Sequence, residues 1–534
     1  MNQRQFTLHI LPEGIDLQGY EGDSLHSLLL LAGLVDSRDA RTEQFCLERG
    51  SISPADQPEA EAAVFSPAQR TEGWFLASQR HIAGDAVLRH GQEEQEEALL
   101  PAPLSGGYGL VFDLGSGTIA AGLVDLGSMN IPEISACPNA QLALAAQPEA
   151  RLAMSRTAEG REKLRGLLLG DMQSLLSKLC SRTGVSPEQI NAISCAGSSL
   201  MLDLLDPAPE PGSAAQLRQF TCGELGLSSL QPLTLAYLLP AAGPDLGADV
   251  ICSCLAADLL HKMDQPWVTL LIDLGMSGEV IGAGLGRMVA TSIPELPFEG
   301  QGIHCGMPAM TGAITQVEIG RRLVVKTVRD GRPRGISGAG LLSAARAMLE
   351  AGLLDAEGRI SPPSRDPGEE LPYLRSSING RELILSPADK NFPQDIFINP
   401  DDILTLQMAK GAIFAACQAV LHALDCGPEQ ISEILLAEAY RAHLQPRDML
   451  ALGLLPAVEP EQILSIGNAA WQGAFLCLSN RHYLEEAQQI AGSLRRLDLA
   501  TDPVYAAQFI EGMEFGMQKS SSGRGRHFLG GERA

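Results

Sequence analysis

The chain has 534 residues, with 64 acidic against 39 basic side chains and a formal net charge of −25. That balance disfavours a phosphate-backbone binder or an anionic membrane surface, both of which need clustered Lys and Arg; it suits solubility, or a partner with a basic face. With 45% hydrophobic and 19% charged residues the chain is mostly globular, and its length allows about three or four domains of roughly 100–200 residues. No apolar run reaches the ~18 residues a membrane span requires. The start, MNQRQFTLHILPEG, has no signal-peptide core. Eleven scattered Cys, none in a C-x-x-C pair, read as a reduced, cytoplasmic chain without a disulfide framework or a Cys-rich zinc site.

In chain order, FTLHIL (6–11), the turn Pro12-Glu13-Gly14 and IDLQGY predict a hairpin. Asp23 or Ser24 is placed to cap a helix through LHSLLLLAGL, and GWFLASQRHIAGDAVL returns a strand near 73–88. This order resembles a β-grasp domain, assigned to residues 1–90. The stretch 91–108 reads as a linker, its first half equally as a short solvated helix. A strand, a Gly-rich turn and a second strand follow in GLVFDLGSGTIAAGLVDLGS, then a helical block from Glu159 to Cys180 and a helix start at Ser186-Pro187-Glu188. PWVTLLIDLGMSGEVIGAGLG (266–286) repeats the strand–turn–strand pattern 160 residues later, which predicts a duplicated α/β unit, about 109–265 and 266–517. Residues 355–400 form a Pro- and Asp-rich excursion with a hairpin signal at Asn379-Gly380. From Asp401 to Glu485 the pattern is mainly helical, and 518–534 reads as a disordered tail.

The chemistry concentrates in the two Asp-Leu-Gly turns. In the first, an apolar strand delivers Asp113 to its C-terminal end. Gly115 and Gly117 permit close backbone approach, and the amides with the Ser116 and Thr118 hydroxyls suit phosphate oxygens. Asp113 and Asp273 suit Mg²⁺ held through water. The second turn, Asp273-Leu-Gly275-Met-Ser277-Gly278, is placed to face the first. A single such turn is weak evidence, since hairpins use Asp and Gly for conformational reasons alone; a pair is more specific. Cys252 and Cys254 read as core thiols, and His304-Cys305 lacks companion ligands nearby in sequence.

The segment FEGQGIHCGMPAMTGAITQV (298–317) resembles the C-terminal domain of the reductive activators of corrinoid proteins and corrinoid-dependent methyltransferases (RACo-type, DUF4445-like). GISGAGLLSAARAMLEAGLLDAEGRI, DILTLQMAKGAIFAACQAVL, ALGLLPAV, SIGNAAWQGA and TDPVYAAQFIEGMEF follow in the family's order, so the resemblance covers 109 to about 517. It implies an α/β fold with a duplicated RNase H-like core, the acetate and sugar kinase, heat-shock chaperone and actin (ASKHA) fold, preceded by a degenerate ferredoxin-like β-grasp domain. It further implies ATP and Mg²⁺ as cofactors, a corrinoid protein or methyltransferase as partner, a possible homodimer, and return of cobalt to Co(I). By resemblance, Gly335, Ser337, Gly338 and Gly340, with Gly467 and Asn468, line the nucleotide cleft.

The sequence departs from the family's pattern in several places. A [2Fe–2S] cluster needs four thiolates, and residues 1–110 contain one Cys, Cys46; the other ligand positions align near Ser37, Glu43 and Ser78. No cluster is therefore expected, and a separate protein would supply the electron. The family's middle domain also reads as missing. Met276-Ser277 stands where the family tends to have Thr-Asn, Ser198 where it has Asn, and Ala145 and Gln147 where it has Gly and Asp; Asn139, Gln141 and Arg151 are kept. Glu438-Ala439 replaces a Gly-Gly that lies against the adenosine. Two outcomes stay open: Glu438 obstructs ATP, or it points to solvent. Lys410, in a matched helix, reads as a surface, partner-facing lysine. The function expected is an ATP-dependent accessory protein for corrinoid reactivation. The alternative is a non-catalytic relative that binds or regulates the corrinoid protein. A small-molecule kinase is less favoured, and an activator of 2-hydroxyacyl-CoA dehydratases is disfavoured by the missing Cys.

Overall fold

The computed structural model describes residues 4–11, 15–20, 22, 24–25, 28–29, 44–54, 70, 73–77 and 80–90 of the N-terminal part. Beyond it, residues 107–516 are described except 146, 210–212, 294–295, 321, 363–370, 389, 391–392 and 439–443. Residues 91–106 of the expected linker, the tail, and Ser37, Glu43 and Ser78 lie outside the described residues, and the linker's last position, Tyr108, already opens a strand. The chain divides into two compact units, Met1–Glu97 and Ala98–Ala534.

The first unit is a five-stranded sheet built from β1 (Gln5–Leu11), β2 (Ile15–Tyr20), β3 (Gln44–Ile52), β4 (Trp74–Leu76) and β5 (Ile82–His90), in the order β2-β1-β5-β3-β4. β1 and β2 form the expected antiparallel hairpin, with Ile10 opposite Ile15, and β1 runs parallel to β5. Alternation along β1 buries Leu8 and Ile10 against Leu25, Leu29, Phe45, Phe75 and Leu88. This is the β-grasp order. Cys46 is buried on β3, opposite Trp74.

The second unit contains the duplication. Its first half has β6 (Tyr108–Leu114), β7 (Thr118–Asp125), β8 (Glu133–Pro138), β9 (Ile190–Gly197), β10 (Arg218–Thr221) and β11 (Leu235–Leu238). They lie in the order β10-β11-β9-β6-β7-β8, with β6-β7-β8 antiparallel and β6, β9 and β11 parallel. The second half begins with β12 (Val268–Leu274), β13 (Gly278–Gly284) and β14 (Arg287–Ile293). Two three-stranded sheets are inserted next: β15 (Ala313–Ile319), β16 (Leu323–Thr327) and β17 (Gly335–Ile336), then β18 (Leu374–Ser377), β19 (Gly380–Ser386) and β20 (Ile396–Ile398). β21 (Ile431–Glu438), β22 (Ile463–Gly467) and β23 (Leu494–Arg496) complete a sheet ordered β22-β21-β12-β13-β14-β23. Strand order and direction repeat around β6 and β12, so both Asp-Leu-Gly turns sit at the C-terminal ends of equivalent central strands.

The halves are joined by two helices. Ala248–Ala256, from the first half, packs on Ala469–Ser479, from the second. A Cβ on Gly473 would stand 2.0 Å from the Cys252 carbonyl oxygen, and one on Gly122 of β7 would stand 2.3 Å from the Trp471 ring. Glycine is required at both contacts because a backbone in one case and a packed indole ring in the other approach so closely.

Some local expectations are corrected. Ser186-Pro187-Glu188 opens a single 3₁₀ turn, Pro187–Gln189, not a longer helix, because the buried run after it continues as β9. The region after Asp401 starts with the Pro400–Ala423 helix but is then interrupted by β21 and β22, whose apolar runs are too short for buried helices. That helix is apolar and long enough to cross a membrane, and 72% of its most apolar window is buried in the protein. The Asn379-Gly380 hairpin forms one residue early: Ser377 pairs with Gly380, leaving Ile378-Asn379 as the loop.

Candidate nucleotide cleft

The first turn is held from outside its own segment. The Asn139 backbone N–H donates to the Gly117 carbonyl (2.9 Å), its Nδ2 to the Gly115 carbonyl (3.1 Å), and Arg151 Nη1 to the Ser116 carbonyl (2.7 Å). Asn139 and Arg151 are both buried. A Cβ on Gly115 would lie 2.6 Å from the Thr118 carbonyl, so the turn closes only with glycine there.

In the second turn, Asp273 Oδ2 accepts from Ser253 Oγ (3.1 Å), the Gly275 N–H donates to the Ser277 carbonyl (2.9 Å), and Ser277 Oγ donates to Glu279 Oε1 (3.1 Å). A Cβ on Gly278 would meet Leu296 at 2.4 Å. Met276, at the position of the family's Thr, places its sulfur 3.0 Å from where a Gly117 Cβ would be and 3.9 Å from Arg151 Nη2. The two turns, far apart in sequence, thus meet through a buried thioether and a buried guanidinium.

A third element completes the cleft. Gly467 (φ +67°) turns the chain out of β22, and Asn468 caps the Ala469–Ser479 helix, its Oδ1 accepting from the Trp471 N–H (2.8 Å). Its Nδ2 donates to Asp113 Oδ2 (2.8 Å). Asp249, which the sequence reading missed, stands in the first turn of the Ala248–Ala256 helix, one turn before Ser253, where the charges of both Asp113 and Asp273 act on it. The available signal was an acid placed one residue after Gly247-Ala248 at the head of an apolar helix.

The cleft is therefore acidic. Burial lifts Asp113 to about 7, with Asp273 and Glu299 adding to the rise and the Asn468 hydrogen bond opposing it. Asp249 also rises to about 7, through burial first and then the Asp113 charge. Glu279 is pushed well above the carboxylate range by burial and by Asp249 and Asp273. Glu299 rises to about 7 by burial, against the pull of Thr118 and Arg151. Such a set favours a cation. Among the described residues no three His, Cys, Asp or Glu groups are grouped for direct metal ligation.

The remaining site candidates fall elsewhere. Ser337 donates to the Ile314 carbonyl (2.9 Å) and caps the Gly338–Glu350 helix by accepting from the Gly340 N–H (3.2 Å). Cβ atoms on Gly335, Gly338 and Gly340 would meet Cys305, Phe298 and Ile314 at 2.7, 2.3 and 2.1 Å. These are close contacts within the second half, and none of them is with the aspartate turns. Glu438 ends β21 opposite Leu274, the residue after Asp273; its side chain and Ala439 lie outside the description. His304 donates its N–H to Asp402 (2.6 Å) and its ring packs on Phe397, as a structural residue does. Cys252 and Cys254 are buried. Lys410 is not at the surface as expected: it is buried, donates to the Gly512 carbonyl (2.6 Å) and lies over Phe414, because its helix packs beneath the Pro503–Glu511 helix.

Two RNase H-like halves that bring facing aspartate turns onto one cleft define an ASKHA protein, here preceded by a β-grasp domain. Sequence profiles agree: "RACo middle region" matches residues 108–262, and "C-terminal domain of RACo the ASKHA domain" matches 267–522. The chain belongs to the RACo family, the reductive activators of corrinoid proteins. The middle region expected to be missing is present as the first α/β half. The corrinoid activation enzyme RamQ of Eubacterium limosum is 25% identical over 425 residues, 77% of this chain and 70% of that protein. A [Co(II) methylated amine-specific corrinoid protein] reductase of Methanosarcina barkeri is 26% identical over 276 residues, 47% of this chain and 46% of that protein. The solved structure of a reductive activator for corrinoid, iron-sulfur protein matches 96% of this chain and 98% of its own, with a TM-score of 0.71 at 23% identity.

Proposed function

We propose that this protein is an ATP-dependent accessory factor for reductive reactivation of a corrinoid protein or corrinoid-dependent methyltransferase, with the electron supplied by another protein. The observation that carries the reading is the convergence of Asp113, Asp273, Asp249 and Asn468, from four different elements, on one cleft. The donor set fits a nucleotide with a hydrated Mg²⁺. Asp113 and Asp273 would hold the cation through water, while the Gly115–Thr118 backbone and hydroxyls and the Ser277-Gly278 turn would face phosphates. Asp249, on the same cleft, would orient a water. When bound, Mg·ATP supplies the free energy for an uphill Co(II)/Co(I) step on the partner. An iron–sulfur cluster does not fit the N-terminal unit: Cys46 is a lone thiol of residues 1–110, buried in the sheet.

The direct test is calorimetric titration with Mg·ATP and Mg·ADP, followed by ATPase assays with candidate corrinoid proteins. Micromolar binding and partner-stimulated hydrolysis are expected. Absence of binding up to millimolar concentration would favour the second reading, a non-catalytic corrinoid-protein-binding subunit. The observation on that side is the Ser277 hydroxyl bonded to Glu279, together with a Met at the neighbouring position.

A further inference from the structure

Glu299 comes from the second half, on the connection after β14, yet its carboxylate lies against the first phosphate turn. Its Oε2 is 1.9 Å from where a Gly117 Cβ would stand and 3.5 Å from Thr118 Oγ1. Its charge also acts on Asp113 and on Arg151, the residue that pins the Ser116 carbonyl. A carboxylate thus stands over the glycine that a bound phosphate would approach. Two anions cannot share that position without a cation between them.

The other side of Glu299 opens on a cavity of about 330 Å³, walled by the edge strand β8 and by residues 308–311. Lys178, Arg182 and Arg329 line the same cavity. Arg182 is paired with Glu133. Among the described residues that line it, Lys178 and Arg329 are the cations left to receive a further carboxylate. The segment carrying Glu299 is tightly built: Phe298 is buried, and Gly300 (φ +93°) packs so closely on Met307 that its Cβ would fall 2.6 Å from three backbone atoms. Gly300 thus ties the segment carrying Glu299 to Met307 and the adjoining 308–311 wall.

We infer that Glu299 is an occupancy sensor: a phosphate on the Gly115–Thr118 turn displaces its carboxylate toward Lys178 and Arg329, so that nucleotide state alters the charge and shape of the neighbouring cavity. Glu299 is thereby a positioning residue. The inference rests on the nucleotide reading above and adds to it a route from the turn to the surface beside β8.

The test is a double-mutant cycle on the full chain, read by titration with Mg·ADP and Mg·ATP, with thermal melts to establish folding. Glu299→Gln removes the competing charge and is expected to tighten binding roughly tenfold. The pair Lys178→Ala and Arg329→Ala removes the receiving site and is expected to weaken binding severalfold in the native background but not in Glu299→Gln. Hydrogen exchange at 297–311 should change on Mg·ATP addition in the native chain only. If the native chain binds and Glu299→Gln binds no more tightly, or the effects simply add, the sensor is overturned and the nucleotide cleft stands. If neither the native chain nor Glu299→Gln binds at millimolar nucleotide, both readings fall.

Discussion

Asn468 Nδ2 donates a 2.8 Å hydrogen bond to Asp113 Oδ2 across 355 residues of sequence. The amide belongs to the second α/β half and the carboxylate to the first. The same Asn468 caps a helix that packs on the first half's sheet, so the bond fixes the cleft's central acid from the opposite side.

Breaking that bond should weaken nucleotide binding without unfolding the chain. A hydrogen bond to a charged group is worth about 1.5–3 kcal/mol, so Asn468→Ala should lose roughly tenfold to a hundredfold in Mg·ADP affinity. Asp113→Ala should remove binding altogether. Unchanged affinity in Asp113→Ala, measured by calorimetry, would sink the phosphate-turn assignment.

The nucleotide-free cleft should destabilise the protein as pH rises. Asp113 and Asp249 go from 3.8 to about 7, chiefly through burial, so the folded state prefers both protonated. Their contribution to stability is complete below about pH 4 and is lost as pH climbs toward 7. Asp249→Asn keeps a neutral group there. It should melt above the native chain, on the order of 2 °C at pH 8, with a smaller gap at pH 5. Millimolar Mg²⁺ should narrow the gap. Scanning calorimetry at the two pH values checks the sign, and a gap larger at pH 5 would contradict it.

Gly473 should not tolerate a side chain. Its Cβ would press on the Cys252 backbone, which cannot yield as a flexible side chain would. Gly473→Ala should cost about 1–3 kcal/mol by overpacking the two joining helices. Denaturant unfolding of the full chain measures it, and a loss within error of zero would mean that the helices separate freely.

The purified protein should carry no iron. Metal analysis giving about two irons per chain with a [2Fe–2S] optical spectrum would show that thiolates other than Cys46 are recruited to the N-terminal unit.

Much of this protein was determined locally. The alternation in FTLHIL and IDLQGY, set by the two-residue repeat of a strand, was enough for the first hairpin. The duplication was legible because an apolar strand ending in Asp-Leu-Gly is a short-range pattern, and it occurs twice. Short motifs also sufficed for the family, since FEGQGIHCGMPAM is contiguous. Short-range signals misled where they have two uses. Ser-Pro-Glu opens a 3₁₀ turn as readily as a helix.

Only the tertiary structure decided what converges on the cleft. Asp249 joins Asp113 because a joining helix brings its first turn to the end of β6, and Glu299 reaches Gly117 because the insert after β14 folds back over the other half. Lys410 is buried because the Pro503–Glu511 helix covers its face, which no periodicity within its own helix reveals. The physical reason is common to all three. A side chain's partner, its burial and hence its charge state depend on groups one to two hundred residues away, and a lone sequence carries no term for those distances.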